Sequence, residues 1–235
     1  MYNVIRIFGA DYILFDLIFL LTFISLLLKY RKKIPLWAFF VGGLGINFVM
    51  DWGIWLHTGI REISGLSSSL AILFFFLWFS LSLSYGVEYA YVFLMFEDSP
   101  KMERLKWTLL VLGGWLLVAF LSQLIPLNDT LITTNRHMFD LRLVRIGIVL
   151  IGYSLLAFLG YNWKKITYLF FVGFLIHFMM EFSLLISGIR PQSFLILLEN
   201  SLIEFNMGVP FFYLLYDKLL KKQRTEIEKL KNRKT

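Results

Sequence analysis

The chain has 235 residues, of which 58% are hydrophobic and 18% aromatic, and its mean hydropathy is +0.71. Soluble globular domains are about 45–50% apolar, so this composition indicates an integral membrane protein without a separate soluble domain. The chain has no cysteine, which excludes disulfides, thiolate nucleophiles and cysteine-ligated metals. The formal net charge of +7 does not indicate nucleic-acid binding, because the basic residues lie at helix ends and in the tail, where they set topology and contact anionic lipid.

Apolar runs predict seven transmembrane helices joined by short loops. In chain order they cover residues 12–29, 34–58, 68–95, 107–126, 143–161, 166–187 and 193–217. We therefore expect an all-α polytopic membrane protein with a single transmembrane domain, residues 1–217, and a basic cytoplasmic tail, residues 218–235. We expect the first run to be a retained helix, since no small-residue cleavage site follows it.

Basic residues divide unequally between the two faces that seven spans create. Lysine-rich segments of one face lie at 29–33, 101–106, 164–165 and from 218 onward. The other face carries arginines: Arg6, Arg61, Arg136, Arg142, Arg145 and Arg190. The positive-inside rule makes the lysine-rich face cytoplasmic. We expect the N-terminus outside and the C-terminus inside, in the plasma membrane of a bacterium or archaeon.

Several motifs occur twice in the same order, which predicts an internal repeat. The matching pairs are Lys32-Lys33-Ile34 and Lys164-Lys165-Ile166, Asn47 to Asp51 and His177 to Glu181, Gly59-Ile60-Arg61 and Gly188-Ile189-Arg190, and Tyr85-Gly86-Val87 and Met207-Gly208-Val209. The second and sixth spans both run outward, so the repeats are parallel. We expect a 3+1+3 arrangement, with repeat one at about 10–96, a linker helix at about 107–126, repeat two at about 143–217, and a cavity between the halves.

Three carboxylates lie at one depth, between the bilayer middle and its outer surface: Asp51, Glu181 and Glu204. A carboxylate inside a bilayer is costly unless it is protonated, paired or placed in a polar cavity. Each acid alone is compatible with a structural carboxyl bonded to a neighbouring helix. Three at a shared depth favour a functional site, and we take them as catalytic candidates.

Polar and aromatic residues near these acids are the candidates for substrate binding. They are Asn47, Trp52, Trp55, His177, Phe178, Phe182, Asn200, Asn206 and Tyr213. Aromatic faces can stabilise a cation, although aromatic residues also fill membrane cores. Glu88 is interpreted as structural or paired with a cation, and Asp16 could face the same cavity. Arg61 and Arg190 are interpreted as helix caps or as anchors for an anionic group.

Two segments resemble the acidic motifs of the small seven-helix membrane terpene cyclases of fungal meroterpenoid and indole-diterpene pathways and their bacterial relatives. They are Asn47-Phe48-Val49-Met50-Asp51 and Glu204-Phe205-Asn206-Met207-Gly208-Val209-Pro210-Phe211-Phe212-Tyr213. The resemblance implies protonation-initiated cyclisation of a prenyl chain, often at a terminal epoxide, with Asp51 and Glu204 as the acids. The family commonly has Glu first and Asp last, which are exchanged here, and a tryptophan at the position of Met50.

The same residues support a mechanism without a metal or organic cofactor. A carboxyl group in apolar surroundings can stay protonated and donate to an epoxide or alkene, and Glu181 or His177 could accept the final proton. The expected partners are a lipid-soluble prenylated substrate and membrane lipids, with no nucleic acid and no identifiable protein partner. Two other classes stay open: a small-solute transporter or ligand-binding protein built from parallel three-helix repeats, and a scaffold whose buried acids only fix helix packing.

Overall fold

The computed structural model describes residues 2–30, 34–97, 99–138, 142–190 and 194–219. Its helices are α1 (Ala10–Tyr30), α2 (Ile34–Phe48, continued by a π-helix at Val49–Trp55), α3 (Ser69–Leu81), α4 (Tyr85–Phe96), α5 (Lys101–Leu124), α6 (Arg142–Phe158), α7 (Trp163–Ile186), α8 (Phe194–Ile203, followed by a 3₁₀ turn at Phe205–Met207) and α9 (209–219).

Within the described residues, five helical segments are long and apolar enough to cross a membrane: α1, α2 with its π-helix, α3 together with α4, α5 and α7. This is the architecture of a helical membrane protein, as the composition predicts. Helix α6 is a shorter apolar helix, and α8 and α9 are separate pieces of the seventh predicted span. Seven spans and their orientation therefore stay predictions. The lysine pair Lys32-Lys33 and the tail beyond Leu219 lie outside the described residues.

The expectation of an all-α fold is confirmed in part: the structure is mostly helical, but it also contains a three-stranded antiparallel sheet that the sequence analysis did not predict. Its strands are β1 (Tyr2–Gly9), β2 (Arg61–Ser64) and β3 (Leu131–Met138), in the order β1-β3-β2. Strand β1 alternates buried Val4, Arg6 and Phe8 with exposed neighbours, which is the two-residue period of a strand with one buried face. Hydropathy averaged over long windows does not detect that period.

The sheet lies at the end of the helix bundle where α2 and α7 end. The amide of His137 in β3 donates to the carbonyl of Ile60 at 2.8 Å, and the amide of Ile7 in β1 donates to the carbonyl of Ile189 at 2.8 Å. Ile60 and Ile189 are the central residues of the two Gly-Ile-Arg motifs. The sheet therefore ties together the segments that follow these two helices.

The third predicted span of each half is broken at a similar place. Helices α3 and α4 are separated at 82–84, and α8 and α9 at 204–208. Beyond both breaks, α4 and α9 join the two halves through aromatic contacts. The ring centroids of Tyr89 and Phe212 are 4.3 Å apart, and those of Phe93 and Tyr216 are 5.3 Å apart. These shared features fit the 3+1+3 arrangement, which stays a prediction for the whole chain.

Candidate functional site

Charged side chains of both halves and of the sheet line one buried cavity of about 190 Å³. They are Arg6, Asp51, Arg61, Glu88, Arg136, His177 and Glu204. Leu83 and Ser84 of the first helix break line it as well, and Glu204 belongs to the second. Broken helices in corresponding positions of two halves are a feature of membrane proteins that bind ligands between their repeats.

In the first half, Asp51 and Asn47 form a closed polar network. Arg61 Nε lies 2.6 Å from Asp51 Oδ1. Asn47 Nδ2 donates to Asp51 Oδ2 at 3.1 Å and to Ser80 Oγ at 2.9 Å, and its Oδ1 accepts from Ser84 Oγ at 2.7 Å. Asp51 lies within the π-helix, a deviation that is frequent at functional sites. The amide of Asn47 is thus engaged at both of its polar atoms.

In the second half, Glu181 is held between two guanidinium groups. Arg6 donates to Glu181 Oε1 at 3.1 Å, and Arg190 pairs with Oε2. Glu181 is 1% exposed and is not part of the cavity lining. The acid that matches Asp51 in sequence therefore lies behind the cavity wall.

Glu204 differs from the other acids in its exposure. Arg145 lies 3.2 Å and Arg136 3.6 Å from Glu204 Oε1, and the Glu204 side chain is 20% exposed, against 2% for Asp51 and 0% for Glu88. Glu204 is thus the most accessible of the carboxylates that line the cavity.

His177 lies between carboxylates of three helices. Its Nδ1 is 3.0 Å from Glu88 Oε1, while its Nε2 is 3.7 Å from Glu181 Oε1 and 3.8 Å from Glu204 Oε2. Only the first of these distances is within hydrogen-bond range. Among the described residues, His177 Nε2 is a buried nitrogen without a hydrogen-bond partner.

Two arginines of the sheet, Arg6 and Arg61, are buried but remain cations. Burial lowers the pKa of Arg6 and of Arg61 to about 10, so both keep their charge at neutral pH. Their guanidinium groups also pack on aromatic rings: Arg6 lies 5.3 Å and Arg61 5.5 Å from the centroid of Phe79. The ring of Trp55 faces Arg61 at 5.8 Å and Arg136 at 5.3 Å. The rings of Phe79 and Trp55 are thus already in contact with arginine side chains of the protein.

Aromatic rings cover one side of the cavity, and a residue exposed on the bundle surface forms part of another. Tyr85 lines it, and the rings of Tyr85 and Tyr89 stack at 5.1 Å; Phe205 packs on Tyr89 at 5.5 Å. These rings close the side away from the sheet. Ile46 also lines the cavity and is 49% exposed on the outer surface of α2. The cavity wall therefore reaches the outer surface of α2 at Ile46.

Some residues predicted as one site do converge on the cavity, and others do not. Asp51, Glu204, Asn47, Trp55 and His177 line it. The remaining candidates are not in the lining: Glu181, Trp52, Phe178, Phe182, Asn200, Asn206 and Tyr213.

Their contacts explain where they lie. Trp52 stacks on Phe48 at 5.1 Å, and Phe178 stacks on Phe182 at 5.6 Å, because residues four apart share a helix face that here is turned away from the cavity. Asn206 accepts from Tyr153 at 2.6 Å.

Two further placements depart from the predictions. Tyr213 packs on Phe96 at 5.2 Å, beyond the aromatic closure. Asp16 is fully buried and accepts from Trp78 Nε1 at 2.7 Å, so it does not face the cavity.

Sequence reasoning missed Arg6, Arg136 and Arg145 as site residues, and it interpreted Glu88 as structural or paired with a cation, whereas Glu88 lines the cavity and contacts His177. One signal was available: Arg6 and Arg136 have the same sequence separation as Asn47 and His177, so they occupy matching positions if the repeat extends into the strands. Within the described residues, no group of three or more acidic or histidine side chains could hold a metal ion.

The fold and the site define a class, a helical membrane protein with a charged cavity enclosed between its two halves. Comparison of the chain with protein-family models, with curated proteins and with solved structures finds no match. The function is therefore argued from the site itself.

Proposed function

We propose that this protein is a membrane-embedded isoprenoid cyclase or isomerase that transfers a proton to and from a lipid-soluble prenyl substrate. The observation that carries the proposal is that Asp51 and Glu204, from the two halves of the chain, line one cavity. Because Ile46 both lines the cavity and is exposed on α2, a substrate can enter beside it from the bilayer. The aromatic closure supports a reaction chamber that excludes water, which protects a reactive cation from premature quenching.

The size of the cavity limits how much of the substrate it holds. Small-molecule pockets are commonly at least ~300 Å³, whereas this cavity is about 190 Å³. We propose that only the reacting end of the prenyl chain enters. The rest of the chain extends past Ile46 and Met50 along the lipid-facing surface, where its apolar carbons remain in an apolar environment.

The ion pairs assign roles to the acids that differ from those the resemblance implies. Asp51 is paired with Arg61, and Glu204 with Arg145 and Arg136. A carboxylate held by a guanidinium stabilises a positive charge or accepts a proton, and it is not a ready proton donor. We therefore propose that Asp51 and Glu204 stabilise the cation.

Mass spectrometry of lipid extracts tests the proposal. Cells that produce the protein should contain a cyclised or isomerised prenyl lipid that is absent from cells without it. Glu204→Gln should reduce this product at least about 100-fold, the loss typical for a preorganised electrostatic group, while the protein stays folded in detergent. The matched control is Glu62→Gln, an exposed acid of β2 outside the cavity. Unchanged product in Glu204→Gln would refute the assignment.

The variant Asp51→Asn tests the second acid, but it leaves Arg61 buried without its partner. The double variant Asp51→Asn with Arg61→Gln removes both charges and restores neutrality. A folded double variant without product supports a role in the reaction, and a folded double variant with full product contradicts it.

We also propose that the sheet faces the outside of the cell, because the lysine-rich loops lie at the opposite end of the helices. The chain has no cysteine, so single cysteines report topology directly. Cysteine in place of exposed Ile5 in β1 should react with a membrane-impermeant maleimide on intact cells. Cysteine in place of exposed Lys101 at the start of α5 should react only after the cells are opened. The reverse pattern would invert the proposed orientation.

A carrier is the second candidate, and the matched helix breaks are the observation that favours it, because carriers commonly bind substrate between broken helices of two repeats. The paired acids would then couple transport to protons. Proteoliposomes with a trapped pH-sensitive dye separate the candidates. Substrate-dependent proton movement supports the carrier. Product formation in detergent, where no gradient exists, supports the enzyme.

A further inference from the structure

We infer that His177 is the general acid–base of the site and that Glu88 positions it. The inference rests on the proposed function and deepens it. It starts from an asymmetry between two matching positions. Asn47 has both polar atoms bonded to protein groups, whereas His177 has one ring nitrogen bonded and the other without a partner among the described residues.

The bonded nitrogen fixes the ring. Glu88 Oε1 lies 3.0 Å from His177 Nδ1, and Glu88 is 0% exposed. A carboxylate only accepts hydrogen bonds, so an ionised Glu88 places the hydrogen on Nδ1 and leaves Nε2 to face the cavity. The pair has the geometry of a carboxylate that orients a catalytic imidazole and offsets its positive charge.

The second nitrogen is placed for proton transfer. His177 is 5% exposed and lines the cavity. Its Nε2 lies 3.7 Å from Glu181 and 3.8 Å from Glu204, too far for hydrogen bonds, so this nitrogen can still bond to a group in the cavity. Asp51, Glu204 and Glu181 are all held by arginines. Glu88 is instead paired with His177. We therefore take His177 as the side chain of this cluster that transfers the proton.

An imidazolium suits the epoxide substrate that the sequence resemblance implies. It is too weak an acid for an unactivated alkene, but an epoxide oxygen accepts a proton while its C–O bond breaks. In the proposed step, the proton moves from Nε2 to the epoxide oxygen, which becomes a hydroxyl group. The carbon that loses the C–O bond forms a C–C bond to the next alkene. A C–H bond beside the last cation then breaks, and its proton returns to Nε2, so no oxidant or cofactor is consumed.

The first test needs no substrate. The chain has three histidines, so protein labelled with ¹⁵N-histidine gives few signals in detergent micelles, and His177→Gln assigns the signal of interest. We expect His177 to keep its hydrogen on Nδ1 in the neutral form, and Glu88→Gln to change its tautomer. Glu62→Gln is the matched control, because Glu62 lies near the more exposed His137 at 3.4 Å. A His177 signal unaffected by Glu88→Gln would overturn the positioning role.

The second test uses a terminal epoxide of a C15 prenyl alcohol with purified protein. We expect His177→Gln to lower product formation at least about 100-fold at unchanged melting temperature, and added imidazole to restore part of the activity of His177→Ala. Glu88→Gln should lower the rate and shift its pH profile. Full activity of His177→Gln would overturn the acid–base role and leave the cyclase proposal standing. No product from the unmodified protein would refute the cyclase proposal and this assignment with it.

Discussion

The segments Asn47–Arg61 and His177–Arg190 are built alike at their ends and differently at their centres. Each ends in a Gly-Ile-Arg motif whose arginine turns back to pair with the acid of its own helix, Arg61 with Asp51 and Arg190 with Glu181. Asp51 lines the cavity, whereas Glu181 lies behind His177. The shared part serves packing and charge compensation, and the differing part serves the site. Variants at matching positions can therefore separate structure from function.

Glu181→Gln should be the most damaging of these variants. The substitution leaves Arg6 and Arg190 buried without the carboxylate that now holds both. Breaking a buried ion pair lowers the free energy of unfolding by about 3–5 kcal/mol. Because two guanidinium groups lose their partner in this variant, we expect a loss at the upper end of that range. The measurement is unfolding in detergent followed by loss of helical signal. Glu62→Gln on the exposed side of the sheet should lie within about 0.5 kcal/mol of the unmodified protein. Equal stability of the two variants would contradict the inference that Glu181 holds the guanidinium groups of Arg6 and Arg190.

Asp51→Asn should cost less, about 3 kcal/mol, because one buried guanidinium loses its partner and Asn47 can still donate to the new amide oxygen. Adding Arg61→Gln should restore part of the loss, since no buried charge is then unpaired. The same detergent unfolding experiment measures both variants. If Asp51→Asn alone lost more stability than Glu181→Gln, the expected order of the two variants would be wrong.

Alanine variants at Gly43 and Gly173 allow helix packing in the two halves to be compared. A Cβ at Gly43 would overlap the carbonyl of Tyr85, and one at Gly173 would overlap the side chains of Asn206 and Val209. Small residues allow such close helix contacts in membranes. Overpacking costs about 1–3 kcal/mol, and Gly43→Ala should cost more, because a backbone carbonyl cannot rotate away. Thermal unfolding of the two variants checks the order, and a smaller loss in Gly43→Ala would contradict it.

Sequence patterns predict the apolar helices and the pairing of matching motifs, because hydrophobic runs and helical spacing are local properties. They also bring Asp51 and Glu204 into one site through the shared depth of the acids. They do not predict that these acids are ion-paired. In the sequence alone Arg6 and Arg136 are loop charges, and only the sheet, which joins strands far apart in the chain, carries them into the cavity.

The position of His177 relative to Asn47 shows the limit of motif matching. The repeat aligns the two residues, yet it does not show that one amide is fully bonded and one imidazole keeps a nitrogen unbonded. That difference depends on partners from other helices: Ser80 and Ser84 for Asn47, and Glu88 for His177. Side-chain chemistry at equivalent positions is thus decided by tertiary contacts.

Alanine variants at Gly59 and Gly188 should show the smallest losses of stability, and the two losses should be similar. Both have positive φ angles, 73° and 71°, and a Cβ added at either position would have no atom within 4 Å. Alanine in this left-handed conformation costs roughly 1–2 kcal/mol, so Gly59→Ala and Gly188→Ala should lose similar amounts of stability. Gly45→Ala on the exposed face of α2 should instead be neutral or slightly stabilising, because a helix interior favours alanine over glycine.

Thermal unfolding in one detergent measures all three glycine variants. Equal losses at Gly59 and Gly188 would show that the two Gly-Ile-Arg turns are the same structural device, whatever chemistry each half performs. A loss confined to one of them would mean that only that turn is needed to return its arginine to the buried acid, and the likeness of the two halves would then end at the sequence.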